Sequence, residues 1–149
     1  MRRLTWTVLL LLIVPLTAQQ ANEPFVSSLT VDQMRDKQAV VETTVGTFVI
    51  DLLPDAAPNH VALFLREVEN GTFDGTSFHG MVARGIVQGG NPITKDPNRR
   101  DEYGRGGLGL LDAEPNAEQH TPGTVSAVVV PGEPNSGGTQ FLICVVAQP

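Results

Sequence analysis

Three histidines, one cysteine and a few serines and glycines are the residues of this 149-residue chain with evident chemical capacity. A zinc centre needs ligands at short, regular spacings, and His60, His79, His120 and Cys144 lie far apart in the sequence. A hydrolytic serine needs a strained elbow and a base within reach, and neither Ser126 nor Ser136 has that local context. Gly104-Arg105-Gly106-Gly107-Leu108-Gly109 has the glycine spacing of a dinucleotide-binding turn, but that turn requires a strand before it and a helix after it. Asp101 to Tyr103 and Leu110 to Pro115 read as neither, so the run is expected to be a glycine-rich surface loop. Asn70-Gly71-Thr72 is formally a glycosylation sequon, and the same residues make a good helix stop and turn, which is the reading preferred. No metal and no cofactor is expected. What survives is an uncharged patch: Phe78-His79 and Ile86-Val87-Gln88-Gly89-Gly90 on one side, Gly138-Thr139-Gln140-Phe141-Leu142-Ile143 on the other. Each stretch alone reads as a strand with a polar residue at its end.

Those residues must be held by something, and composition limits what. The length suits one domain, and 41% apolar residues at a mean hydropathy near zero exclude a disordered acidic tail or a many-span membrane protein. Ten Lys plus Arg against sixteen Asp plus Glu give −6, which argues against a phosphate-binding stripe and so against nucleic acid as a partner. The densest basic spot, Lys95, Arg99, Arg100 and Arg105, is interleaved with Asp96, Asp101 and Glu102. Fifteen glycines and eleven prolines point to many turns and short strands.

Residues 1–20 read as a secretory signal peptide: Arg2 and Arg3, an apolar run from Leu4 to Leu16, then a small and polar stretch with cleavage expected near Ala18. The apolar run is too short to span a bilayer, so no stable membrane insertion is expected after cleavage, and the protein is expected to be exported, periplasmic or secreted. Losing Arg2 and Arg3 leaves eight basic residues against sixteen acidic ones. A single Cys allows no intrachain disulfide. Residues 21–37 are polar and weakly periodic, with Val31 and Met34 as anchors, and are expected to be a linker or loosely docked arm. Residues 38–149 form the domain. Alternation on both sides of Gly46 predicts a β-hairpin, and Val61, Phe64, Leu65 and Val68 after Pro58 predict an amphipathic helix of about a dozen residues. Short strands are predicted over Thr76 to Met81, Ile86 to Gln88, Thr124 to Val130 and Gln140 to Val146. One helix amid several strands predicts a barrel or sandwich.

Taken together, five ordered stretches resemble the cyclophilin-type peptidyl-prolyl isomerase family: Val45 to Leu52, Ala57 to Leu65, Phe73 to His79, Ile86 to Pro92 and Gly138 to Ile143. The resemblance covers Val40 to Gln148. It implies a mainly β fold, an antiparallel eight-stranded β-barrel with capping helices and an outer groove for an extended X-Pro peptide. The family continues past the position of Pro149, so the last strands and second helix are expected to be missing and the barrel open. It implies no cofactor, proline-containing polypeptides as partners, and a monomer assisting protein folding in a bacterium.

Prolyl isomerisation breaks no bond. The amide barrier is about 18–20 kcal/mol, while cis and trans X-Pro differ by about 0.5–1 kcal/mol. An apolar seat for the ring, groups pinning the flanking peptide and a donor favouring the twisted amide suffice. By resemblance, Ile86 and Leu142 line the proline pocket, Gln88, Gln140 and Val128-Val129 hold the peptide, and His79 stands beside the groove. The family's Arg after Phe-His is Gly80 here, its usual Phe is Gly85, and its Asp after Gly-Gly is Asn91. Arg84, four residues on, is the candidate substitute donor, with Gln88 as its catalytic companion. The alternative expectation is a weak or inactive module that binds proline-containing peptides, as a chaperone or scaffold does, without accelerating rotation.

Overall fold

The computed structural model describes residues 23–148, so the signal peptide predicted over residues 1–20 lies outside the described residues. Two sheets and two helices make up the framework. Strands β1 (Gln38–Thr43) and β2 (Gly46–Asp51) form the predicted hairpin, pairing from Gln38 with Asp51 to Thr43 with Gly46. Gly46 is needed there because its φ is +141°, which side chains rarely adopt. The second sheet runs in the order β3 (Gly80–Met81), β4 (Ile86–Gly89), β6 (Phe141–Cys144) and β5 (Val125–Ala127), all antiparallel.

Where the resemblance implies an eight-stranded barrel left open, the described residues carry six strands in two separate sheets, and no barrel closes among them. Three predicted strands are shorter, the one over Gln140 to Val146 reduced to Phe141–Cys144 and the other two for identifiable reasons. Over Thr76 to Met81, Thr76 turns back onto the Phe73 carbonyl and the Ser77 N–H donates to Thr94 Oγ1 at 2.9 Å, so only Gly80 and Met81 join the ladder. Over Thr124 to Val130, the Val130 N–H leaves the ladder for Ser136 Oγ at 2.7 Å.

Helix α2 (Pro58–Glu69) is the predicted amphipathic helix, with proline in its first turn. Its buried residues are Val61, Ala62 and Leu63, whereas Val68 at the end of the predicted stripe is exposed. The segment 21–37, expected to be a linker or loosely docked arm, touches the domain at a few points of its described part, through the Phe25 N–H to Leu110 O, the Ser27 N–H to Asn59 Oδ1 and Met34. Thr30 and Gln33 form a reciprocal capping box that starts α1 (Val31–Met34), and Met34 is fully buried against Val61 and Ala62, with Phe25, Leu52 and Leu65 around it. Filling that space with one large side chain is worth about 1.5–3 kcal/mol.

Five of the six phenylalanines link these parts. Phe64 lies 5.1 Å from Phe73, and Phe73, Phe141, Phe78 and Phe48 follow at 6.3 Å per step. The run ties α2 to the inner face of the four-stranded sheet and on to the hairpin. Beside it an open cavity of about 430 Å³, lined by residues including Phe48, Phe78, Val87 and Ile143, separates the two sheets.

Candidate functional site

Side chains alternate across a strand, and directly paired residues share a face. In β4 and β6, Val87 pairs with Ile143 and Gly89 with Phe141, and these face the phenylalanine core. The other face therefore carries Gln88 opposite Leu142 and Ile86 opposite Cys144, with Gly80 beside Gln88 and Ser126 beside Leu142. Ile86, Gln88 and Leu142, singled out from the sequence, are thus brought to one outer surface. The 430 Å³ cavity lies on the opposite, inner side and is not this site.

Gln88 Nε2 donates to Gln140 Oε1 at 2.9 Å. Gln140 is 1% exposed, and its Nε2 donates to Gly104 O at 2.9 Å and Gly106 O at 2.6 Å. Both amide protons of Gln140 are therefore engaged. The expectation that Gln140 holds a peptide becomes a placement behind Gln88: it fixes the orientation of Gln88, whose Oε1 and second N–H have no protein partner among these bonds. Val128 also depends on this residue, since its N–H donates to Gln140 O at 3.1 Å, and the exposed Val129 follows it, past the end of β5.

The glycine-rich run 104–109 is more than the expected surface loop. Two of its carbonyls cradle Gln140, and Gly107 O accepts from Thr139 N–H at 2.7 Å. Gly138 makes that approach possible: a Cβ on it would fall 2.0 Å from Gly107 O. The sequence signal was present as glycines in both segments, without anything to say that the two touch.

The His79 ring lies beside Tyr103 and Gly104, 6.3 Å from the Tyr103 ring and edge to face with it, and both its nitrogens are buried without a protein partner. What His79 offers Gln88 is its backbone N–H, which donates to Gln88 O at 3.0 Å. Arg84 sits at the tip of the turn between β3 and β4, exposed, with φ at +56°. It is absent from the ion pairs among the described residues. At Gly85 a Cβ would meet Val82 Cγ1 at 3.0 Å, so Val82 occupies the space over that position.

A second polar cluster, unforeseen in the sequence, caps α2. The helix begins after Ala57, which has no capping side chain, and the Glu114 carboxylate serves instead by accepting from the Asn59 and His60 backbone N–H groups. The His60 ring closes the pair at 2.7 Å from Glu114 Oε2. Burial alone would raise the Glu114 pKa; bonds from the Asn59 backbone, His60 ring and His60 backbone, with the His60 charge, outweigh it and hold the carboxyl below its ordinary value.

A family model described as cyclophilin type peptidyl-prolyl cis-trans isomerase/CLD matches residues 39–149. A peptidyl-prolyl cis-trans isomerase of Synechococcus elongatus is 35% identical over 113 residues, covering 75% of this chain and 71% of that protein. Peptidyl-prolyl cis-trans isomerase 9 of Schizosaccharomyces pombe is 35% identical over 111 residues, 72% of this chain and 17% of that longer protein. A crystal structure of a Cryptosporidium parvum cyclophilin-type isomerase, solved in the presence of the dipeptide Ala-Pro, is similar in fold with a TM-score of 0.66 at 24% identity, covering 76% of this chain and 70% of that one. By the family match and the identity to the Synechococcus protein, this chain belongs to the cyclophilin-type peptidyl-prolyl cis-trans isomerases.

Proposed function

We propose that the chain binds X-Pro segments across its outer face and accelerates rotation about the imide bond, assisting the folding of exported proteins outside the cytoplasm. The observation that carries this reading is the Gln88 amide, pinned by Gln140 on the same face as Ile86 and Leu142. An apolar seat beside a preoriented amide suits a proline ring and its neighbouring carbonyl. Gln88 then supplies an acceptor at Oε1 and a donor at Nε2 to the flanking peptide, while Ile86 and Leu142 take the ring. Val128 and Val129 run alongside as an extended backbone against which the peptide lies. The Ala-Pro dipeptide belongs to the Cryptosporidium structure, and it supports this choice of ligand class here.

Catalysis requires the twisted amide to be held better than the planar one. As resonance is lost the prolyl nitrogen becomes pyramidal and basic, and a donor aimed at it lowers the barrier. Gly80, opposite Gln88, has no side chain to give. Arg84 is the one cation of the adjoining turn, and in this reading its guanidinium reaches over Ile86 to serve as that donor. The test is the cis/trans exchange rate of a short X-Pro peptide measured by NMR with the chain added. Exchange above the uncatalysed rate, reduced in Arg84→Ala, is the expected result.

Gly80 also favours a second reading, in which the groove binds proline-containing segments and leaves their rotation unchanged. Peptide resonances that shift on titration while exchange stays at its uncatalysed rate would select it.

A further inference from the structure

The cap on α2 reaches across 55 positions of the chain. Glu114 Oε1 accepts from the Asn59 backbone N–H and from Asn59 Nδ2, each at 2.9 Å, and Oε2 accepts from the His60 backbone N–H at 2.9 Å and from the ring at 2.7 Å. A carboxylate only accepts, so His60 Nδ1 is the donor. The other ring nitrogen faces Gly137, where a Cβ would come within 2.9 Å of it. His60 thus fills the space between Glu114 and the backbone at 137.

The two loops that meet at His60 are the ones that hold Gln140. Gly137 O accepts from the Leu110 and Leu111 N–H groups at 2.8 and 3.0 Å, and Ser136 O accepts from Gly109 N–H at 2.9 Å. Gly107 O accepts from Thr139 N–H, and Gly104 O and Gly106 O accept from the Gln140 amide. Segment 104–114 is laced along segment 136–140, and its far end is fastened to α2 by Glu114.

We propose that His60 and Glu114 are positioning residues for the Gln88 and Gln140 pair: their contact at the start of α2 fixes how segment 104–114 lies on segment 136–140, and so where Gln140 holds the Gln88 amide. The proposal rests on the reading of that face as the peptide-binding surface.

The test is side-chain amide NMR of the full chain, following Gln88 and Gln140 with and without a short X-Pro peptide. His60→Ala removes the ring donor and the packing on Gly137, while His60→Asn keeps a donor near the position of Nδ1. Glu114→Gln, close in shape to the wild type, places an amide where Oε2 accepts. We expect His60→Ala and Glu114→Gln to move the Gln140 amide resonances and to weaken peptide binding about tenfold, and His60→Asn to recover most of both. A merely structural role would lower the melting temperature and leave the resonances of folded molecules in place. Should the alanine variant not fold, Glu114→Gln against wild type carries the same comparison. Unmoved Gln140 resonances in folded variants would overturn the proposal. Resonances that move in a protein whose wild type neither binds nor isomerises the peptide would support the positioning and overturn the function instead.

Discussion

Replacing Gln140 by Glu changes one nitrogen into an oxygen and almost no volume. The wild-type amide gives two protons to Gly104 O and Gly106 O and accepts one from Gln88. A carboxylate keeps the acceptor and loses both donors, so two carbonyls are left facing a negative charge at a position 1% exposed. Each buried polar group left without its partner costs about 1–3 kcal/mol, so the substitution is expected to destabilise by about 3 kcal/mol at neutral pH. At about 4 °C of melting temperature per kcal/mol for a domain of this size, that is a fall of about 12 °C. Burial and the two carbonyls raise the pKa of the introduced acid in the folded state. Stability relative to wild type is therefore best below the unfolded-state carboxyl pKa, where the protonated acid donates one hydrogen bond, and is lost as pH rises through the raised folded value. Thermal unfolding by circular dichroism from pH 4 to 8, wild type against variant, measures this directly. A variant as stable as wild type at pH 7, with no pH dependence of the difference, would refute the assignment of Gln140 as a donor to the glycine-rich segment.

Other outcomes follow from the same geometry. Gly80→Arg has to displace Gln88 Cβ by a few tenths of an ångström, since a Cβ there lies 3.1 Å from it; if the groove is otherwise sound, the peptide exchange rate rises by about a hundredfold or more, the equivalent of the roughly 3 kcal/mol that one preorganised donor is worth. Arg84→Gly removes the proposed donor and relaxes a left-handed residue, so exchange is expected to fall while the melting temperature holds or rises. Gly138→Ala drives a Cβ against Gly107 O and is expected to lower stability and peptide affinity together, read by urea unfolding and titration. For Glu114 the folded pKa is depressed, so its contribution is present above the unfolded carboxyl pKa and is lost as pH falls through the lower folded value; a wild-type acid unfolding curve steeper than that of Glu114→Gln checks the sign.

Much of the framework was legible because it is written in local patterns. The hairpin followed from alternation on either side of Gly46, and helix α2 from Pro58 and its spaced apolar residues. The matched stretches name Ile86, Gln88 and Leu142, and the strand pairing puts these three on one surface. What the sequence concealed was contact between distant segments. Met34 is one of two anchors in a polar stretch, and nothing local says that Val61 and Ala62 bury it. Glu114 lies in a loop of unremarkable composition, and its work is done on a helix that lacks its own cap. The family resemblance implies a peptide contact for Gln140; its burial and its two glycine carbonyls come from a loop whose glycines can be read only one at a time. Strands β3 and β5 are shorter than their sequence patterns predict because the Ser77 and Val130 N–H groups found side-chain partners in place of ladder partners.

The measurement that tests the central claim most directly is the cis/trans exchange rate of a short X-Pro peptide, read by NMR magnetisation exchange with the full chain present, beside the same experiment on Gln88→Ala. Exchange faster than the uncatalysed rate, falling back towards it in Gln88→Ala, is the predicted result. Uncatalysed exchange together with peptide resonances that do not move at saturating protein would contradict it.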